Sequence, residues 1–213
     1  MKKFTNKDFL NMHYLHRNNL VNSSTGYKSA NLIGTKSKDH IENLAVFSSV
    51  THLGSNPALL GFFLRPTTVL RNTYENIKET GYYTLNHIHE NIIEDAHHTS
   101  AKYEKIISEF DYTNLEPEYK DDYFPPFVKN TPVQLLMKFE NEYPIIENNT
   151  ILVVGKLEAL FVLDDLIEED YFINLSKAKV ASINGLDGYA IPNLKKRFEY
   201  QRPKKNKPKI TNI

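Results

Sequence analysis

Apolar residues in this chain gather in short runs bounded by turn formers: Ser29–Gly34, Asn43–Val50, Ala58–Leu64, Tyr82–Ile88, Val133–Phe139 and the longer Thr150–Leu163. Their length and their content of β-branched and aromatic residues predict strands. Gly155 interrupts the longest run, where a bulge or sharp bend would let one strand serve two sides of a closed barrel. Helical spacing is sparser. Leu70, Tyr74 and Ile77 share one face, Gly81 sits where a left-handed residue ends a helix, and Asn72 with Glu75 has capping-box spacing, so a helix is predicted from Thr73 to Thr80. Amphipathic pieces are expected at Ala101–Phe110 and Asp164–Asp170. Between Asp111 and Pro132, four prolines and several acids predict a wandering surface connection, of the length that often serves as a lid or an interface. No internal repeat is present.

Composition narrows the classes. The 213 residues suit one β-rich domain with a buried core, and 26 basic against 26 acidic residues leave no global field to attract nucleic acid or membrane. Absence of cysteine excludes disulfides, thiolate ligands and cysteine nucleophiles. The basic start, Met1 to Asp8, is followed by no apolar leader core, and no run approaches the roughly 18 apolar residues of a membrane span. A soluble cytoplasmic protein is expected. Gln201–Ile213 carries Arg202, Lys204, Lys205, Lys207 and Lys209 without an acid, which reads as an extended tail. With no recognition helix, zinc finger or RNP-like signature beside it, nucleic acid is not an expected partner.

Two stretches carry candidate chemistry. In Phe47-Ser48-Ser49, small hydroxyl residues close an apolar strand, leaving room and backbone donors for a flat heteroaromatic ring. The bland alternative is a strand end with serines in a turn. Arg65, then Arg71 and Thr73 at the start of the predicted helix, would place cations beside free amides, a setting that favours a phosphate. The alternative here is a surface helix with solvated arginines. His87 and His89 alternate along a predicted strand, and His97-His98 follow Glu94 and Asp95, a set that a metal-dependent hydrolase could use. No His-Glu-x-x-His spacing occurs, and His97 or His98 is better placed as an orienting or proton-delivering group.

Taken in order, Asn43, Phe47-Ser48-Ser49, Pro57, Arg71-Asn72-Thr73, Asn76-Ile77, Gly81, Asn86, Thr99-Ser100-Ala101-Lys102-Tyr103, Ser108-Glu109-Phe110, Pro126-Phe127-Val128, Val154-Gly155-Lys156-Leu157 and Gly185-Leu186-Asp187-Gly188-Tyr189 resemble the flavin reductase-like, FMN-binding split-barrel family. The resemblance implies a mainly β fold, a six-stranded antiparallel Greek-key split barrel with peripheral helices, forming a homodimer with FMN near the subunit interface. It implies a 29–190 barrel domain between an N-terminal extension (1–28) and a basic C-terminal extension (191–213). It further implies that Phe47, Ser48 and Ser49 border the isoalloxazine, that Arg65, Arg71 and Thr73 hold the phosphate, and that Asn86, Ser100 and Lys102 lie on the ring or ribityl side. Two positions depart from the pattern: Pro57-Ala58 replaces a pair of prolines, and Asn72 stands where Asp or His is common.

By the same resemblance, NADH or NADPH delivers electrons to FMN, which passes them to free flavin, another small-molecule acceptor or a partner protein. Absence of a Gly-x-Gly-x-x-Gly fingerprint means that any nicotinamide cofactor binds transiently. The rivals are a non-catalytic flavin-binding electron carrier and the histidine-based hydrolase.

Overall fold

The computed structural model describes residues 1–203, so Lys204, Lys205, Lys207 and Lys209 of the basic tail lie outside the described residues. In chain order the elements are α1 (Asn6–Asn11), α2 (Tyr14–Ser24), β1 (Tyr27–Ser29), β2 (Asn31–Lys36), β3 (Glu42–Phe47), β4 (Thr51–Ser55), β5 (Ala58–Leu64), α3 (Asn72–Thr80), β6 (Tyr82–His87), α4 (Ile93–His98), β7 (Pro117–Glu118), β8 (Phe127–Val128), β9 (Val133–Ile145), β10 (Thr150–Val162), β11 (Ser182–Asn184) and β12 (Gly188–Ala190). Short 3₁₀ turns fall at Glu90–Ile92, Glu109–Tyr112 and Asp164–Leu166.

A seven-stranded sheet runs β3-β2-β6-β9-β10-β5-β4, every neighbouring pair antiparallel. β3 and β4 stand at opposite edges of that order, yet only Ser48, Ser49 and Val50 separate them in the chain. Those edges therefore lie within about 14 Å of each other, and the sheet must curl into a barrel. A side chain makes the closure. The Ser49 hydroxyl donates to the Phe63 carbonyl and accepts from the Phe63 amide, both at 3.1 Å, just beyond the last β4–β5 pairs at His52–Leu60 and Thr51–Gly61. Past Ser49 no ladder joins β3 to β5, and the barrel is split there.

The expected six strands become seven because Thr51–Ser55, outside the six apolar runs, is an edge strand. Thr51, His52, Leu53 and Ser55 are exposed, and a strand at an open edge needs no apolar face. Gly155 does mark a register shift between β9 and β10, and a Cβ there would overlap the Tyr83 hydroxyl. Alternation then sorts the side chains. Ile33, Phe62, Tyr83, Leu85, Leu135, Met137 and Val153 fill the interior, which Ile77 of α3 plugs. Leu32, Leu44 and Ile88 face outward against Ala96, Phe110, Leu115, Val128, Ala181 and Ile183.

The proline-rich connection is part of that outer cover rather than a free surface strap. Pro125 to Val128 are buried, Thr84 donates to the Pro126 carbonyl at 2.6 Å, and Gln134 donates to the Val128 carbonyl at 2.7 Å. α3 starts one residue early, at Asn72. Its N-cap is Arg71 and no side chain caps it, so the Asn72–Glu75 box does not form. Its end is as expected: Gly81 has φ 77° and donates to the Ile77 carbonyl at 2.8 Å. The pieces expected at Ala101–Phe110 and Asp164–Asp170 reduce to single 3₁₀ turns. The N-terminal extension instead holds α1 and α2, the first opened by a Thr5–Asp8 capping box, and neither has a buried residue. No described helix is long and apolar enough to cross a membrane.

Candidate functional site

The open edge of β3 is the natural place to build a site, because an unpaired strand edge presents backbone donors. Leu44 shows which way they point: its amide donates to the Glu109 carboxylate at 2.8 Å, away from β2. Antiparallel alternation aims the Val46 amide out of the same edge. Glu109 is itself enclosed, and burial pushes its carboxyl up against the opposing pull of that amide. The outer face of β3 is held by α4 and the segment after it, through Leu44 and Val46 packing with Ala96 and Phe110.

Across the opening stand the end of β5 and the start of α3. Ser49 clasps Phe63, two residues before Arg65, which directly follows β5. The Phe47 ring packs edge-on against Phe62 at 5.1 Å between centroids. At the far end Asn43 ties the strand to the helix, its amide donating to the Thr73 hydroxyl at 3.0 Å and to Thr35 at 3.3 Å. Asn76 donates to the same Thr35 oxygen at 3.1 Å, while its own Oδ1 is buried without a partner. From Asn43 to Ser49 the seam runs about 20 Å.

Electrostatics single out the α3 end. An uncapped helix leaves first-turn amides free and a partial positive charge. Beside them Arg71 holds one weak bond, Nη2 to the Pro66 carbonyl at 3.4 Å, and its Nε is enclosed with no partner. A buried guanidinium nitrogen without an acceptor is costly, so a group bearing anionic oxygens fits here.

The structure thus brings Phe47, Ser48, Ser49, Arg71 and Thr73 along one seam, with Arg65 in the chain directly after β5. Ser100 and Lys102 are exposed on the segment that leads from α4 to Glu109, outside the β3 edge. Asn86 is elsewhere. It faces outward under the proline-rich cover and is fully enclosed; its amide donates to Leu32 at 3.3 Å and to Thr84 at 3.0 Å and accepts from the Val128 amide at 2.9 Å. Its polar atoms are spent on the fold. Asn43 and Glu109, named in the motif series but given no site role there, also belong to the seam.

The histidines are dispersed. His97 meets the Tyr189 hydroxyl at 3.2 Å and His98 the Tyr103 hydroxyl at 2.7 Å. β6 ends at His87, and burial pushes its imidazole down to about 4 and lowers that of His89 as well. Among the described residues no three His, Cys, Asp or Glu side chains converge as metal ligands.

Comparison with known proteins bears on the family and the fold. Residues 27–178 match the sequence profile described as flavin reductase like domain. A split barrel domain protein from Shewanella frigidimarina NCIMB 400, named as a candidate flavin reductase, is 39% identical and superposes with a TM-score of 0.91, over 94% of this chain and 100% of that one. Nitrilotriacetate monooxygenase component B from Bacillus cereus shares the fold at 20% identity and TM-score 0.79, over 94% and 98%. Flavoredoxin of Desulfovibrio vulgaris (Miyazaki F) shares it at 17% and 0.69, over 83% and 91%.

Proposed function

This chain belongs to the flavin reductase-like family, and from that premise and its open seam we propose that it is an FMN-binding oxidoreductase moving electrons from NAD(P)H to free flavin or another acceptor. The carrying observation is the uncapped start of α3 beside the orphaned Nε of Arg71, at one end of an unpaired strand edge. FMN, when bound, supplies the redox chemistry. The chain supplies placement: the amides of Asn72 and Thr73 with Arg71 and Arg65 for the phosphate, and Phe47, Ser48, Ser49 and the Val46 amide for the ring edge. Ser100 and Lys102 would close over the ring or ribityl side. Asn43 acts behind them, holding Thr73 against β3. No protein nucleophile is needed, consistent with a chain that has no cysteine.

A second copy completes the site in this reading. Leu53, Phe63, Val69 and Leu70 flank the seam and are exposed, the last at 61%, so apolar surface awaits cover where the ring would lie. A homodimer joined there would exclude water from the flavin and leave NAD(P)H to bind transiently.

The test is the absorption spectrum of the FMN-loaded protein before and after anaerobic addition of NADH or NADPH. Flavin absorbance that bleaches on addition is the expected result. Bound flavin that does not bleach would make the protein a carrier, and no bound flavin would end the proposal. Arg71→Ala is expected to weaken FMN binding by about 1.5 to 3 kcal/mol, read by fluorescence titration.

A further inference from the structure

At the end of the barrel where β2 begins, a cavity of about 300 Å³ opens between β1, β6 and the segment after the barrel, its walls including Ala30, His87, Leu175, Val180, Ala181 and Pro192. The size is that of a small-molecule site. The polar side chains in its wall are nearly all engaged by backbone. Ser29 donates to the Val50 carbonyl at 2.9 Å, Ser182 to the Ala190 carbonyl at 3.4 Å, and Ser176 to the Pro192 carbonyl at 3.3 Å while accepting from the Leu194 amide at 2.8 Å. The Lys28 ammonium donates to the Gly185 carbonyl at 3.2 Å.

Tyr27 is largely exposed, and among the buried side chains His87 is the exception. Among the described residues its ring makes no hydrogen bond: Nδ1 is enclosed without a partner, which leaves Nε2 as the nitrogen available to the cavity that the residue lines. Burial keeps the imidazole neutral at pH 7. Of the two neutral tautomers, the one with Nδ1–H would bury an unpaired donor. The one with Nε2–H buries only an unpaired acceptor, which native structures tolerate better. The cavity therefore has apolar walls and one directed N–H.

We infer that this cavity binds a small neutral aromatic or cyclic carbonyl compound, whose oxygen accepts a hydrogen bond from His87 Nε2 while its ring lies against Leu175, Val180 and Pro192. Part of the wall, Val180 to Pro192, lies beyond the residues that match the family profile. Asn31 pairs in register with both Phe47 and His87, so the bound molecule would stand about 10 Å from Phe47, two strands along.

The test compares acetophenone with α-methylstyrene, which replaces the carbonyl by an isosteric methylene, titrated by ligand-observed NMR against the full chain as purified and again saturated with FMN. Acetophenone is expected to bind at least about tenfold more tightly. His87→Phe should bring the two within about twofold, and His87→Gln, which keeps a donor, should restore part of the preference. Equal binding of the two probes to the unmodified protein, or no binding of either, overturns the proposal whatever the variants do. A preference that survives His87→Phe overturns it as well. If the preference appears while FMN fails to bind, the cavity stands and the flavin reading falls; FMN binding without the preference gives the reverse.

Discussion

β2 and β3 are neighbouring strands of six residues each, yet they have opposite surroundings. β2 is paired on both edges and buried on both faces, the inner by Ile33 and the outer by Leu32 and Gly34 under the proline-rich cover. β3 is paired on one edge only, and its other edge meets a carboxylate, a serine clasp and an opening. Strands of equal length thus divide the work: β2 fixes the barrel, and β3 is held by it while keeping one edge unpaired.

The largest expected effect tests the claim that β2 is sandwiched. A Cβ on Gly34 would overlap the Pro126 carbonyl oxygen and crowd the Thr84 hydroxyl, so Gly34→Ala should lose about 3 kcal/mol of stability in a denaturant titration. An unchanged midpoint would mean the cover does not press on β2. Acid should act nearly as strongly through His87, which stands beside Asn31 of β2. Its folded pKa of about 4 lies below the ordinary 6.5, so the unfolded chain binds more protons between those values and stability falls as pH drops through that window. The loss approaches about 3 kcal/mol at the acid end, and His87→Phe should flatten the profile.

On β3 the effects should be smaller. Ser49→Ala removes both bonds to Phe63 and is expected to cost about 1 to 2 kcal/mol, with faster hydrogen exchange at the Phe63 amide but not at Ile33. Glu109→Gln keeps an acceptor for Leu44 and removes the titration. Because the folded carboxyl is shifted upward, the unmodified protein gains stability as pH falls through its pKa, so the variant should be less acid-stabilised and differ at neutral pH by under about 1 kcal/mol. Equal exchange at Phe63 and Ile33 in Ser49→Ala would erase the contrast between the strands.

Most of the barrel was legible because its strands are apolar on at least one face, and the Gly155 bulge and the Gly81 helix end were legible because only glycine suits them. β4 was not, since its exposed face removes the apolar signal. The N-terminus of α3 was misplaced by one residue because Asn72 has the chemistry of a cap but enters the helix, leaving Arg71 as an N-cap without a side-chain bond. Along the seam, Phe47 to Ser49, Arg71 and Thr73 were singled out through an ordered series of motifs, and Arg65 as a cation at a strand end. Asn43 and Glu109 stood in that series without a role, because their partners, Thr73 and Leu44, lie 30 and 65 positions away. The same distance effect hid the structural use of Asn86, which reaches Val128 across 42 positions.

A barrel shut at one point by a single hydroxyl has its weakest latch beside its ligand edge. Thermal breathing concentrates where the fewest bonds must break, so the molecule gapes first at Ser49 and last among its laddered strands. A group admitted there would displace one side-chain clasp and leave every laddered strand paired.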